Sequence, residues 1–70
     1  MWIRSQDLAI LVKANEICIE NKTNIWAEGY LIGKYSTEEK AMLVLDTIEK
    51  VAMYPGNTYF QMPADDEVGL

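Results

Sequence analysis

Apolar and polar positions change rhythm along this chain. Trp2 to Arg4 is short enough for a single brief strand. Leu8 to Val12 (Leu-Ala-Ile-Leu-Val) is a compact apolar run with β-branched content, which predicts a second strand. Glu16 to Glu20 alternates strictly, with Ile17 and Ile19 on one face and Cys18 on the other. Asn21-Lys22-Thr23-Asn24 has the composition of a turn. Ile25 to Glu28 then returns as the second arm of a hairpin, and Gly29 marks a break or bulge. Tyr30 to Tyr35 predicts a further strand, with Leu31, Gly33 and Tyr35 on one face and Tyr30, Ile32 and Lys34 on the other.

The period then changes to that of a helix. Ala41, Val44, Leu45, Ile48 and Ala52 fall on one stripe. Ser36 with Glu39 three residues on has the form of a capping box. Glu38 and Glu39 put negative charge at the positive end of the helix dipole. Asp46 and Lys50 stand four apart, as an exposed ion pair would. Pro55-Gly56 ends the helix, and Tyr54 before the proline is pushed away from helical geometry. Thr58 to Met62 predicts a final strand, stopped by Pro63. The expected architecture is α+β: a small antiparallel sheet of β-hairpins, one long helix packed on one of its faces, then a last strand. Residues 1–63 form a single domain in this reading, and residues 64–70 an acidic, flexible tail.

Length sharpens this picture. Seventy residues hold one domain, and a chain of that size buries only about 60% of the surface its unfolded form exposes. Half the residues are apolar. With one cysteine and no histidine, neither an internal disulfide nor a structural zinc site is expected, so no metal and no cofactor are assigned. Self-association is the remaining means of support. The sheet face opposite the helix, carrying Trp2, Cys18, Trp26 or Tyr30 according to register, is the expected subunit contact.

Eleven acidic and six basic side chains leave a net charge of −5. The cations Arg4, Lys13, Lys22, Lys34, Lys40 and Lys50 are scattered, which argues against duplex nucleic acid. No apolar stretch approaches the roughly 18 residues a membrane span needs. The start Met1 to Asp7 carries charge where a signal peptide carries an apolar run. A cytoplasmic protein of a bacterial cell, with reduced Cys18, is the expectation.

The chemical inventory points to binding and away from catalysis. Without histidine, no conventional base stands beside a nucleophile, and Cys18 reads as a small apolar filler. Asp65, Asp66 and Glu67 lack the spacing and glycine of a calcium loop. Gly29 and Gly33 do not make a phosphate-cradling loop. Arg4 is the only arginine. A guanidinium is a planar fork suited to carboxylate or phosphate, and Ser5, Gln6 and Asp7 follow it. Gln61 is a polar residue between Phe60 and Met62, and it shares a strand face with Tyr59. Arg4, Ser5, Gln6, Tyr59 and Gln61 are therefore the candidate ligand-binding residues. In the competing reading, Arg4 pairs with a glutamate on a neighbouring strand and Gln61 is simply solvated. Trp2, Trp26, Tyr30, Tyr35 and Tyr59 are either stacking platforms or packing residues.

Four strings carry a resemblance. Ile3-Arg-Ser-Gln-Asp7, Gly33-Lys-Tyr-Ser-Thr-Glu-Glu-Lys-Ala41, Val44-Leu-Asp46 and Phe60-Gln-Met-Pro63 together resemble a group of short uncharacterised proteins of Firmicutes and their phages. The resemblance spans nearly the whole chain and implies a bacterial or phage cytoplasm. An analogy of type, without a shared motif, links the chain to phage anti-defence proteins that sequester nucleotide-derived immune signals. The expected function is that of a non-enzymatic homo-oligomer holding a small anionic, nucleotide-like molecule at a subunit interface. The alternative is a protein–protein interaction module, an inhibitor or adaptor of a host protein.

Overall fold

A computed structural model describes residues 1–69 of the chain. Six strands and one helix follow in order: β1 (Trp2–Arg4), β2 (Leu11–Lys13), β3 (Ile17–Glu20), β4 (Asn24–Ala27), β5 (Tyr30–Lys34), α1 (Glu38–Ala52) and β6 (Tyr59–Gln61). The class is α+β, with strands in two three-stranded sheets ordered β2-β1-β6 and β3-β4-β5. The hairpin pairs are antiparallel. The final strand, β6, instead joins β1 in parallel, with Trp2 beside Tyr59, Ile3 beside Phe60 and Arg4 beside Gln61. A chain that crosses over α1 between the two strands makes that direction possible.

The second strand starts later than the apolar run suggests. Leu8 has φ +70°, and its N–H is tied back to the Ser5 carbonyl at 3.0 Å. Asp7 Oδ1 accepts the Ser5 hydroxyl and the Ala9 N–H, while Ser5 Oγ accepts the Ile10 N–H at 3.0 Å. These local bonds hold residues 5–10 in a loop, so pairing begins at Leu11. The turn at Glu28-Gly29 has both residues at positive φ, +52° and +83°. That is the two-residue geometry whose twist matches a hairpin, and it takes Glu28 out of β4.

Strict alternation fails in β5. The register steps from Ile25 opposite Gly33 to Trp26 opposite Leu31, leaving Ile32 as an extra residue. Such a bulge turns successive side chains to the same side. Ile32 and Gly33 are both buried, and Leu31 is exposed on the outer face, separated from Gly33 and Tyr35.

The helix begins one residue later than the capping pattern predicts. Thr37 is extended and its Oγ1 accepts the Lys40 N–H at 3.1 Å. Ser36 stays outside the helix, and the N–H it would offer to Glu39 in a capping box is taken by Asp65 Oδ1 at 2.7 Å. Ala41, Val44 and Ile48 form the buried stripe, Leu45 is half-buried and Ala52 is exposed. Asp46 and Lys50 form no ion pair. Among the described residues the one salt bridge joins Lys40 Nζ to Asp65 Oδ2 at 3.3 Å.

That bridge corrects the expectation of a free tail. Asp65–Glu67 is a short 3-10 turn, Tyr35 donates from its hydroxyl to the Pro63 carbonyl at 2.9 Å, and Val68 is buried in the core. Leu70, the last residue of that expected tail, lies outside the described residues. The helix packs on β3 and β4. The core gathers Ile3 and Val12 from the first sheet, Ile25, Ala27 and Ile32 from the second, the helix stripe, and Met62. Gln6 joins the two sheets: its N–H donates to the Ile32 carbonyl at 2.7 Å, and its Oε1 accepts the Lys34 N–H at 2.9 Å.

Candidate functional site

The first sheet has an inner row, Val12, Ile3 and Phe60, turned to the core. Period-two alternation sends the flanking rows to the other side. One outer row is Lys13, Trp2 and Tyr59, and the next is Leu11, Arg4 and Gln61. Trp2, Leu11 and Tyr59 are 44%, 50% and 51% exposed. None of these six residues is acidic, although the chain as a whole carries a charge of −5. The outer face of the first sheet is thus a small cationic, aromatic surface on an acidic protein.

Arg4 is half-buried on this face and takes part in no salt bridge among the described residues. Its Nε is buried without a hydrogen-bond partner. The expected alternative, a pairing with a neighbouring glutamate, is absent there, and the register explains why: the strand neighbours of Arg4 are Leu11 and Gln61. Gln61 is not simply solvated. Its Nε2 donates to the carbonyls of Met62 at 2.9 Å and Ser5 at 3.3 Å, and its Oε1 accepts the Tyr59 hydroxyl at 3.2 Å. Gln61 therefore anchors Tyr59 and ties β6 to the end of β1.

Three of the five candidate residues, Arg4, Tyr59 and Gln61, come together. Ser5 and Gln6 do not. Ser5 is buried, and its hydroxyl donates to Asp7 Oδ1 and accepts the Ile10 N–H. Gln6 spends its side-chain oxygen on the Lys34 N–H. Both side chains thus make bonds within the fold. The Ser5 hydroxyl, and after it the Ala9 N–H, hold the Asp7 carboxyl below its ordinary pKa. Lys13 and Leu11 also stand on this outer face, beyond the five candidate residues. Their alternation with Val12 is the signal, and the apolar run Leu8–Val12 masks it by stopping short of Lys13.

The second sheet also has an outer face. Its rows are Cys18, Trp26, Leu31 and Glu20, Asn24, Lys34. A cavity of about 200 Å³ at one end of this face is lined by Glu16, Cys18, Trp26, Glu28 and Gly29. Glu28 is turned toward the β2–β3 connection, where its Oε1 accepts the N–H groups of Asn15 at 2.7 Å and Glu16 at 2.9 Å. Those two bonds lower its pKa. Cys18 is exposed, with Trp26 as its cross-strand neighbour. Among the described residues no three His, Cys, Asp or Glu side chains gather as metal ligands. Among the described residues no helix is long and apolar enough to cross a membrane. The chain matches no protein-family model, no curated protein and no solved structure.

Proposed function

We propose that this chain is a non-enzymatic, self-associating binding protein that holds a small anionic, nucleotide-like molecule on the outer face of its first sheet. The observation that carries this reading is Arg4: a lone guanidinium with no carboxylate partner among the described residues, set in a row between Leu11 and Gln61 and one row from Trp2 and Tyr59. A phosphate takes the guanidinium through charge-assisted hydrogen bonds. A base stacks on the exposed ring of Trp2 or Tyr59, an interaction of about 1–3 kcal/mol per base. Lys13 adds a second positive charge beside Trp2. The analogy of type with phage anti-defence proteins makes immune-signalling nucleotides the first ligands to try.

A second reading has one observation in its favour. Trp2, Leu11 and Tyr59 are all exposed on this face, beside Lys13 and Arg4. An open face with an exposed Trp, Leu and Tyr also suits an acidic segment of a host protein.

The deciding experiment is small-molecule release. Protein purified from bacterial lysate is denatured, and the supernatant is read by mass spectrometry. Refolded or ligand-free protein is then titrated with a nucleoside triphosphate and a cyclic dinucleotide. Wild type is expected to bind, and Arg4→Ala to lose binding at an unchanged melting temperature. If wild type neither releases nor binds an anion, the ligand reading fails and the interaction module replaces it.

A further inference from the structure

The outer faces of the two sheets differ in one respect that decides what each can meet. Two such faces stack about 10 Å apart in known sheet packings. A two-fold axis lying between them and parallel to the central strand exchanges the two edges. Applied to the first sheet, this operation places Arg4 on the axis, over the second copy's Arg4, with no carboxylate near to offset it. In that arrangement the two Arg4 guanidinium groups oppose each other, and neither outer row supplies a carboxylate between them.

Applied to the second sheet, the same operation lays β3 of one copy over β5 of the other, because β4 is central. Glu20 and Lys34 stand at opposite ends of one row, on either side of Asn24. Each Glu20 then faces a Lys34 of the other copy, and the pair is formed twice by symmetry. In the next row Trp26 meets Trp26 on the axis, and Cys18 meets Leu31. Glu28, past the end of β4, is drawn off the axis by its bonds to Asn15 and Glu16. We infer that this face, with Trp26 at its centre and reciprocal Glu20–Lys34 pairs at its flanks, is a two-fold contact between copies of the chain. It places the self-association of the proposed function and leaves the Arg4 face open. The two Cys18 thiols lie on opposite sides of the axis, so the contact needs no disulfide.

Within one chain Glu20 and Lys34 are both exposed and unpaired with each other, so charge reversal there spares the fold. Sedimentation equilibrium tests the contact. Wild type is expected to dimerise under reducing conditions. E20K and K34E each place like charges together twice, and each raises the dimer dissociation constant about tenfold or more. An equimolar mixture of E20K with K34E restores the dimer as a heterodimer, because both cross-pairs are then of opposite sign. The double variant E20K/K34E restores it as a homodimer. A wild type that stays monomeric, or single variants that dimerise like wild type, or a mixture that does not recover, overturns the inference. Anion binding measured on the same samples reports separately on the Arg4 face.

Discussion

Arg4 and Gln61 stand side by side on β1 and β6, joined by the parallel register of the two strands, yet their side chains are committed differently. Gln61 satisfies the Ser5 and Met62 carbonyls, while Arg4 has no such duty. Arg4→Ala is therefore expected to remove anion binding and leave the melting temperature in place. Gln61→Ala loses the bonds that hold Tyr59 and the strand end. At about 1 kcal/mol for a net hydrogen bond, it lowers the melting temperature by about 4–8 °C for a domain this small. Calorimetry beside a binding titration separates the two. Equal melting losses would assign Arg4 a structural role.

Gly33 lies against the ring of Tyr35. A Cβ at that position would stand 3.0 Å from Tyr35 Cε2 and 2.9 Å from Met62 Cε. The methionine tip can move, but the tyrosine ring is held by its bond to Pro63. Gly33→Ala is expected to cost about 1–3 kcal/mol, as overpacking of a filled core does. Urea titration reads this directly, and a neutral result would mean that β5 shifts freely.

The helix stripe makes a graded prediction. Ile48 is 3% exposed, and Ile48→Ala should cost about 2–5 kcal/mol through lost burial and a residual cavity. Leu45 is only half-buried, so Leu45→Ala costs less. Glu49→Ala, exposed, stays within about 0.5 kcal/mol of wild type. Thermal melts of the three variants should rank in that order.

Stability should fall at both ends of the pH scale. Asp7, Glu28 and Asp65 all have lowered pKa values: Asp7 from the Ser5 hydroxyl, Glu28 from the Asn15 N–H, and Asp65 chiefly from the Ser36 N–H. A carboxylate held low in the fold contributes its stability above the ordinary value, about 4, and loses it as pH falls through the folded value. At the alkaline end, burial, and then the nearby Asp65 and Glu67 charges, push the Tyr35 phenol up from 10.0 to about 12. The unfolded chain then releases that proton first, so the contribution is complete below pH 10.0 and lost on the way to about 12. Melts across pH should show Tyr35→Phe flattening the alkaline limb and Asp65→Asn flattening the acid one.

Local chemistry alone determined much of this molecule. The helix follows from the spacing of Ala41, Val44 and Ile48, because a 3.6-residue period leaves one burial face. The hairpin that follows Glu16–Glu20 comes from the turn-forming residues Asn21 to Asn24. The α+β class follows from the order of those elements. Tyr59 and Gln61 share a face by alternation within one strand.

Other features needed distant partners. That β6 runs parallel to β1, and so sets Gln61 and Tyr59 beside Arg4 and Trp2, is a contact between the two ends of the chain that no local pattern encodes. Ser5 and Gln6 look like binding residues in sequence because their polarity is visible, but the atoms that consume that polarity, on Asp7, Ile10, Ile32 and Lys34, are chosen by the fold. Asp65 reads as part of a solvated tail until Ser36 and Lys40 are found across from it. Alternation in β5 breaks because a single extra residue, Ile32, is accommodated as a bulge. In each case the residue type sets what a side chain is able to do, and the tertiary partner decides whether that capacity is already spent.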